Sequence, residues 1–215
     1  MSGNIWPTET EKFDQRLIPK IIEKINTILV KTGLTIYPIG SGANPVVGKK
    51  SGDLDLMIDA DFLRNYFQVS NNKDAKIQLE NLFSHAGFDT AKTGQIVHVK
   101  TNIDNSFQQV DIMVVENANA VQKFHIHNIP QNSSYKGVHK HLAIALLAKQ
   151  KGFKWSPYKG LLNRENNQLI SNDLLSIAKI LFGQDSTKHD LDCFENIISK
   201  MSPDESFRFI NNLAI

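Results

Sequence analysis

Two acids stand one residue apart in Asp53-Leu54-Asp55, inside a run that alternates acidic and apolar residues from Asp53 to Ile58 (DLDLMI). In an extended strand, alternate side chains share a face. Asp53 and Asp55 therefore project together, while Leu54 and Leu56 turn the other way, into a core. Carboxylates held this close repel unless a cation lies between them. Magnesium suits that place, because it takes oxygen ligands and keeps waters and phosphate oxygens around it. A third acid, Asp111, interrupts the apolar run Val110-Asp111-Ile112-Met113-Val114-Val115. An unpaired carboxylate buried in such a strand is costly. Beside the Asp53 strand it would complete a set of three carboxylates, enough for two metal ions about 4 Å apart. One ion would carry a triphosphate, and the other would lower the pKa of an attacking hydroxyl.

The turn Gly40-Ser41-Gly42 offers the complementary group. Glycines let backbone approach phosphates closely, and successive N–H groups, the Ser41 hydroxyl and a following helix N-terminus make an anion cradle. Lys49 and Lys50 lie on the loop leading to Asp53 and can reach the same phosphates.

Regular elements must hold these residues. Phe13 to Val30 carries apolar residues at helical spacing (Leu17, Ile18, Ile21, Ile22, Ile25, Ile28, Leu29), and Lys31 to Gly33 stops it. Leu34 to Ile39 reads as a strand that delivers the glycine turn, and Asp53 to Ile58 as the strand that delivers the acids. Helices are expected over 61–67 and 73–85, a hairpin over 87–100 turning at Thr93-Gly94, and a strand over 108–115. Further helices are expected over 136–151, 172–181, 191–200 and 203–213. The chain therefore reads as an α/β (α+β) protein. A palm-like lobe with a mixed sheet spans 1–135, and a smaller, mostly helical lobe spans 136–215, with the boundary near Gln131 to Ser134.

The pattern of an apolar residue, Gly-Ser, a spacer and Asp-x-Asp resembles the signature of the DNA polymerase β nucleotidyltransferase superfamily. The spelling Ser51-Gly52-Asp53-Leu54-Asp55 is most similar to the small family X DNA polymerases. The resemblance implies that Asp111 is the third catalytic aspartate, near the primer hydroxyl, and that Ser41 and Gly52 touch the triphosphate. It extends from about residue 34 to 183. Ser134-Tyr135-Lys136-Gly137 stands where those enzymes carry an aromatic segment ending in Thr-Gly-Ser, which implies that Tyr135 and Gly137 line the nucleotide. Lys149-Gln150-Lys151-Gly152-Phe153, Tyr158-Lys159-Gly160-Leu161 and Leu181-Phe182-Gly183 resemble later family segments. The chain departs from the family in Ala43, Asn44 and Pro45, where arginines usually follow the Gly-Ser. It departs also in having room for only one long helix ahead of the first strand, so a sugar-phosphate lyase activity is not expected.

Composition bounds the remaining choices. The chain has 215 residues, 41% hydrophobic and 21% charged, with a formal net charge of +2 and one cysteine, Cys193. No apolar run is long enough for a bilayer, no secretory signal is visible, and no internal disulfide is possible. A reducing intracellular setting is expected, and a chain this small would suit a virus or phage. From Lys136 to Ile170 there are seven basic residues against the single acid Glu165. Such a belt can be a footprint for phosphates, here of DNA or RNA. The expected partners are thus a nucleoside triphosphate, two magnesium ions that manganese can replace, and a nucleic-acid 3′-OH. A small molecule, an RNA end or a protein is the alternative acceptor, since shared fold does not settle substrate. A non-catalytic nucleic-acid-binding or assembly role is the rival from another class. His125 and His127 share i, i+2 spacing but lack an obvious third ligand. His139 and His141 are expected to face solvent or phosphate. Trp155 and Tyr158 could stack on a base or pack. Asp61 is expected to cap the helix that follows the acidic strand.

Overall fold

The computed structural model describes residues 4–130 and 132–212. Gln131, in the expected boundary segment, and Leu213, the expected end of the last helix, lie outside the described residues. In chain order the first elements are β1 (Phe13–Asp14), α1 (Ile18–Leu29), β2 (Ile36–Pro38), β3 (Lys50–Ser51), β4 (Asp53–Asp59), α2 (Ala60–Phe67), α3 (Asn72–His85), β5 (Asp89–Thr93), β6 (Ile96–Ile103), β7 (Ser106–Val115) and α4 (Ala118–Gln122). The remainder are α5 (Gly137–Gln150), β8 (Phe153–Ser156), β9 (Gly160–Asn163), β10 (Leu169–Ser171), α6 (Leu174–Phe182), α7 (Phe194–Ser199) and α8 (Pro203–Asn212). The chain divides into two compact units, Met1–Gln122 and Lys123–Ile215.

The first unit is built on a five-stranded mixed sheet in the order β2-β4-β7-β6-β5. β4 and β7 run parallel at its centre, and the other neighbours are antiparallel. Period-two alternation gives each central strand one apolar face: Leu54, Leu56 and Ile58 on β4, Val110, Ile112 and Val114 on β7, Val97 and Val99 on β6. These residues, all 0–1% exposed, pack against Ile18, Ile21, Ile25 and Leu29 of α1 and Ala75, Leu79 and Phe83 of α3. Burying each such branched side chain contributes about 1.5–3 kcal/mol. The helices therefore pin one face of the sheet and leave the other face of β4, β7 and β6 to carry polar side chains.

Several local boundaries differ from the sequence reading for identifiable reasons. α1 begins at Ile18, with Pro19 in its first turn, where a missing N–H costs nothing. The residues ahead of it form β1 and a single 3-10 turn capped by Asp14. The cap of α2 is Asp59, not Asp61: its carboxylate accepts from the backbone N–H groups of Asp61 and Phe62. Its other oxygen accepts from the N–H of Ala118, tying the end of β4 to the start of α4.

The second unit is helical in α5 to α8 and also carries a three-stranded antiparallel sheet, β10-β9-β8, which the sequence reading did not anticipate. Its core gathers Phe124, Ala143, Ile144, Leu147, Trp155, Leu161, Ile177, Leu181, Phe194 and Ile197.

Candidate metal and phosphate site

The parallel register of β4 and β7 sets Asp53 opposite Gln109 and Asp55 opposite Asp111. One ligand oxygen from each of Asp53, Asp55 and Asp111 lies within 4.8 Å of the others, the only such group among the described residues. Asp111 is fully buried, while Asp53 and Asp55 are partly exposed. Burial, then the charges of Asp53 and Asp111, push the Asp55 carboxyl up to about 7. Three carboxylates that cannot all ionise comfortably are a place a divalent cation would relieve. The donor set, all oxygen, fits magnesium or manganese.

Asp111 does not stand alone in the sheet. His98, opposite it across β6 and β7, places Nδ1 at 2.8 Å from Oδ1, and the Gln109 amide donates to the same oxygen at 2.8 Å. A carboxylate only accepts, so His98 Nδ1 carries the hydrogen. In the neutral ring Nε2 then accepts from the Thr93 hydroxyl at 2.6 Å. The bonds from His98 and Gln109 converge on Oδ1 of the Asp111 carboxylate and anchor it.

The turn Gly40–Gly42 lies beside the acids. Ile39 N–H donates to the Asp55 carbonyl at 3.1 Å, which ties the end of the turn-bearing segment to β4. Gly40 adopts φ +55°, and a Cβ there would sit 3.5 Å from Asp55 Oδ2. A Cβ on Gly42 would meet Leu54 Cδ1 at 2.8 Å and the Asp55 carbonyl at 3.3 Å, so glycine lets the turn close onto the strand without displacing Leu54. The turn is one 3-10 turn, and no α-helix follows it before β4, so the expected helix N-terminus does not contribute to a cradle. The Ser41 hydroxyl instead receives a hydrogen bond from Ser51 at 2.9 Å, and Ser51 receives one from Gln15 at 3.0 Å. Lys49 and Lys50 are exposed at the approach to β4, Lys50 pairing with Asp14 in the β1–β3 ladder, and Gly52 is exposed between them and Asp53.

Tyr135 and Gly137 belong to the second unit. The Tyr135 ring packs on Phe194 with centroids 4.1 Å apart, and a Cβ at Gly137 would fall 2.2 Å from His127 Nε2. Both residues thus have packing reasons for their identity. Lys140, counted in the basic belt, is interior at 2% exposure and donates to the Ile126 carbonyl at 3.1 Å; burial lowers its pKa to about 8. Lys136, Lys149, Lys151, Lys154, Lys159 and Arg164 remain exposed. His141, expected toward solvent, accepts from Trp155 Nε1 at 3.3 Å, and its ring packs beside those of His125 and His127. The ring nitrogens of these histidines do not converge as the carboxylates do. Trp155 is 8% exposed and packs edge-on against Phe124, whereas Tyr158 is 40% exposed.

His98, Gln109 and Gln15 escaped the sequence reading, and Ser51 entered it only as part of the Ser51–Asp55 spelling, with no role of its own. His98 alone had a visible signal, a polar residue between Val97 and Val99 on the alternation of β6.

No protein-family model matches the chain, and no curated protein matches its sequence. Among solved structures it is similar to Leishmania infantum polymerase beta in a ternary P/T complex. The match covers 88% of this chain and 72% of that one, at 14% identity and a TM-score of 0.50. The fold is polymerase-β-like. At that identity the likeness is one of fold, and it agrees with the mixed sheet and helices read from the sequence. Among the described residues no helix is long and apolar enough to cross a membrane.

Proposed function

We propose that this protein is a divalent-metal-dependent nucleotidyltransferase that passes a nucleoside monophosphate from an NTP or dNTP to a hydroxyl, with release of pyrophosphate. The observation that carries the reading is the convergence of Asp53, Asp55 and Asp111 on facing parallel strands, beside a glycine turn that presents Ser41. Bound there, magnesium or manganese would neutralise phosphate charge and lower the pKa of the attacking hydroxyl. Asp53 and Asp55 hold the metals, and Asp111, held by His98 and Gln109, faces the attacking group. Gly40, Ser41, Gly42 and Gly52 receive the triphosphate, with Lys49 and Lys50 at its approach. The attacking hydroxyl gives up its proton to solvent, its oxygen bonds to the α-phosphorus, the bond to the bridging α–β oxygen breaks, and pyrophosphate leaves. Such chemistry needs positioning and charge stabilisation more than covalent partners.

The favoured acceptor is a nucleic-acid 3′-OH. Its support is the run of exposed basic residues Lys136, Lys149, Lys151, Lys154, Lys159 and Arg164 in the sequence of the second unit, of the charge a phosphate backbone takes. Tyr135 and Gly137 are proposed to line the nucleotide. The first test is calorimetric titration of a non-hydrolysable triphosphate analogue, with and without magnesium. Binding that needs the metal and is lost in Asp55→Ala is expected. Metal-independent binding, or none, would overturn the reading.

A further inference from the structure

The side chain of Gln15 is 4% exposed and holds no catalytic group, yet it makes the first link of a directed chain that ends at Ser41. Its amide orientation follows from one fixed donor. The backbone N–H of Val46 can only donate, so the Gln15 atom facing it at 2.7 Å is Oε1. Nε2 therefore faces Ser51 and donates to its hydroxyl at 3.0 Å. Ser51, 8% exposed, donates in turn to the Ser41 oxygen at 2.9 Å. Ser41 is thereby fixed as an acceptor on the protein side, and its own hydrogen is the end of the chain. The backbone of Gln15 adds a tie, its N–H donating to the Lys49 carbonyl at 2.9 Å. One residue thus holds both ends of the 46–49 loop and sets the polarity of the hydroxyl beside the acids.

Polarity matters because phosphate oxygens only accept hydrogen bonds, whereas a serine hydroxyl can present either its hydrogen or a lone pair. We propose that Gln15 is a positioning residue for a triphosphate ligand: acting through Ser51, it fixes Ser41 as a hydrogen-bond donor toward the phosphate oxygens. The inference rests on the proposed triphosphate site and adds to it the residue that orients Ser41.

The test inverts the chain without changing its shape. In Gln15→Glu the carboxylate accepts from both Val46 N–H and Ser51 O–H. Ser51 then accepts from Ser41, and Ser41 presents a lone pair to the ligand. Titrating a non-hydrolysable triphosphate analogue with magnesium at about pH 9, above the range to which burial lifts the nearby Asp55 carboxyl, should show Kd raised about tenfold in Gln15→Glu. The decisive arm repeats the substitution in a Ser41→Ala background, where it should change Kd less than about twofold. An equal loss in both backgrounds would mean that the added charge acts directly, and would overturn the proposal. Ser51→Ala removes the middle link without charge and serves if Gln15→Glu does not fold. It should weaken binding about threefold when Ser41 is present and not otherwise. Wild-type affinity in Gln15→Glu or Ser51→Ala, with intact unfolding midpoints, would overturn the inference alone. A wild-type protein that binds no triphosphate would overturn the site reading itself.

Discussion

Asp55→Asn should make the metal-free protein more stable, and the gain should depend on pH. Burial beside Asp53 and Asp111 raises the Asp55 carboxyl from 3.8 to about 7. Below about pH 3.8 both the folded and unfolded chains hold that proton, and the group costs nothing. As pH rises, the unfolded chain releases the proton while the fold keeps it, so stability falls until pH passes about 7. The shift is roughly three pH units at about 1.4 kcal/mol each, an upper value of about 4 kcal/mol. Partial exposure of the carboxyl argues for about 2–4 kcal/mol in practice. A chain of this size gains about 2–4 °C of midpoint per kcal/mol, so asparagine should raise Tm by roughly 5–15 °C at about pH 8. The assay is thermal unfolding in excess chelator, wild type against Asp55→Asn, across the pH range. The gap should close near pH 4, and added magnesium should stabilise the wild type but not the variant. A gap that is absent at high pH, or the same at every pH, would refute the claim that the carboxylates are strained without a cation.

Three further outcomes follow from other contacts. His98→Phe removes a donor from the Asp111 carboxylate and should weaken manganese binding about 10–100-fold, read by electron paramagnetic resonance. His125, His127 and His141 are held neutral by burial, at about 4, 3 and 2. Stability of the second unit should therefore be full above pH 6.5 and fall below it. Each ring contributes roughly 1.4 kcal/mol per pH unit to that loss, and His127→Gln should flatten the acid limb of a circular-dichroism melt series. If the exposed belt grips a nucleic-acid backbone, Lys154→Gln and Lys159→Gln should each lower the log–log salt slope of binding by about 1, measured by fluorescence anisotropy.

What the chain shows of this arrangement divides along the range of the interaction. Period-two alternation is local, so the shared face of Asp53 and Asp55 and the core face of Leu54 and Leu56 were legible. So was Asp111 as a misfit in an apolar strand. Its register against Asp55 depends on parallel pairing between strands some fifty residues apart, and that spacing carries no local pattern. Gln15 and Ser51 are 36 residues apart, and each alone looks like an ordinary polar residue. Strands β8, β9 and β10 escaped notice because they are three or four residues long and carry Lys154, Asn163 and Ser171 among their apolar positions. Lys140 read as part of a basic belt for phosphates because charge counting cannot tell which face of α5 turns inward. Asp59 and Asp61 are equally good caps by residue type; only the exit of β4 at Asp59 chooses between them.

Transfer of an α-labelled nucleotide tests the central claim most directly. The protein is incubated with magnesium or manganese, each common NTP and dNTP, and a primer with or without template, beside Asp53→Ala and Asp111→Asn. The account predicts label joined to the primer's 3′ end, pyrophosphate released in equal amount, and neither in the variants. Label transfer that survives in both variants, or no transfer to any acceptor from a protein that binds metal and triphosphate together, would contradict it.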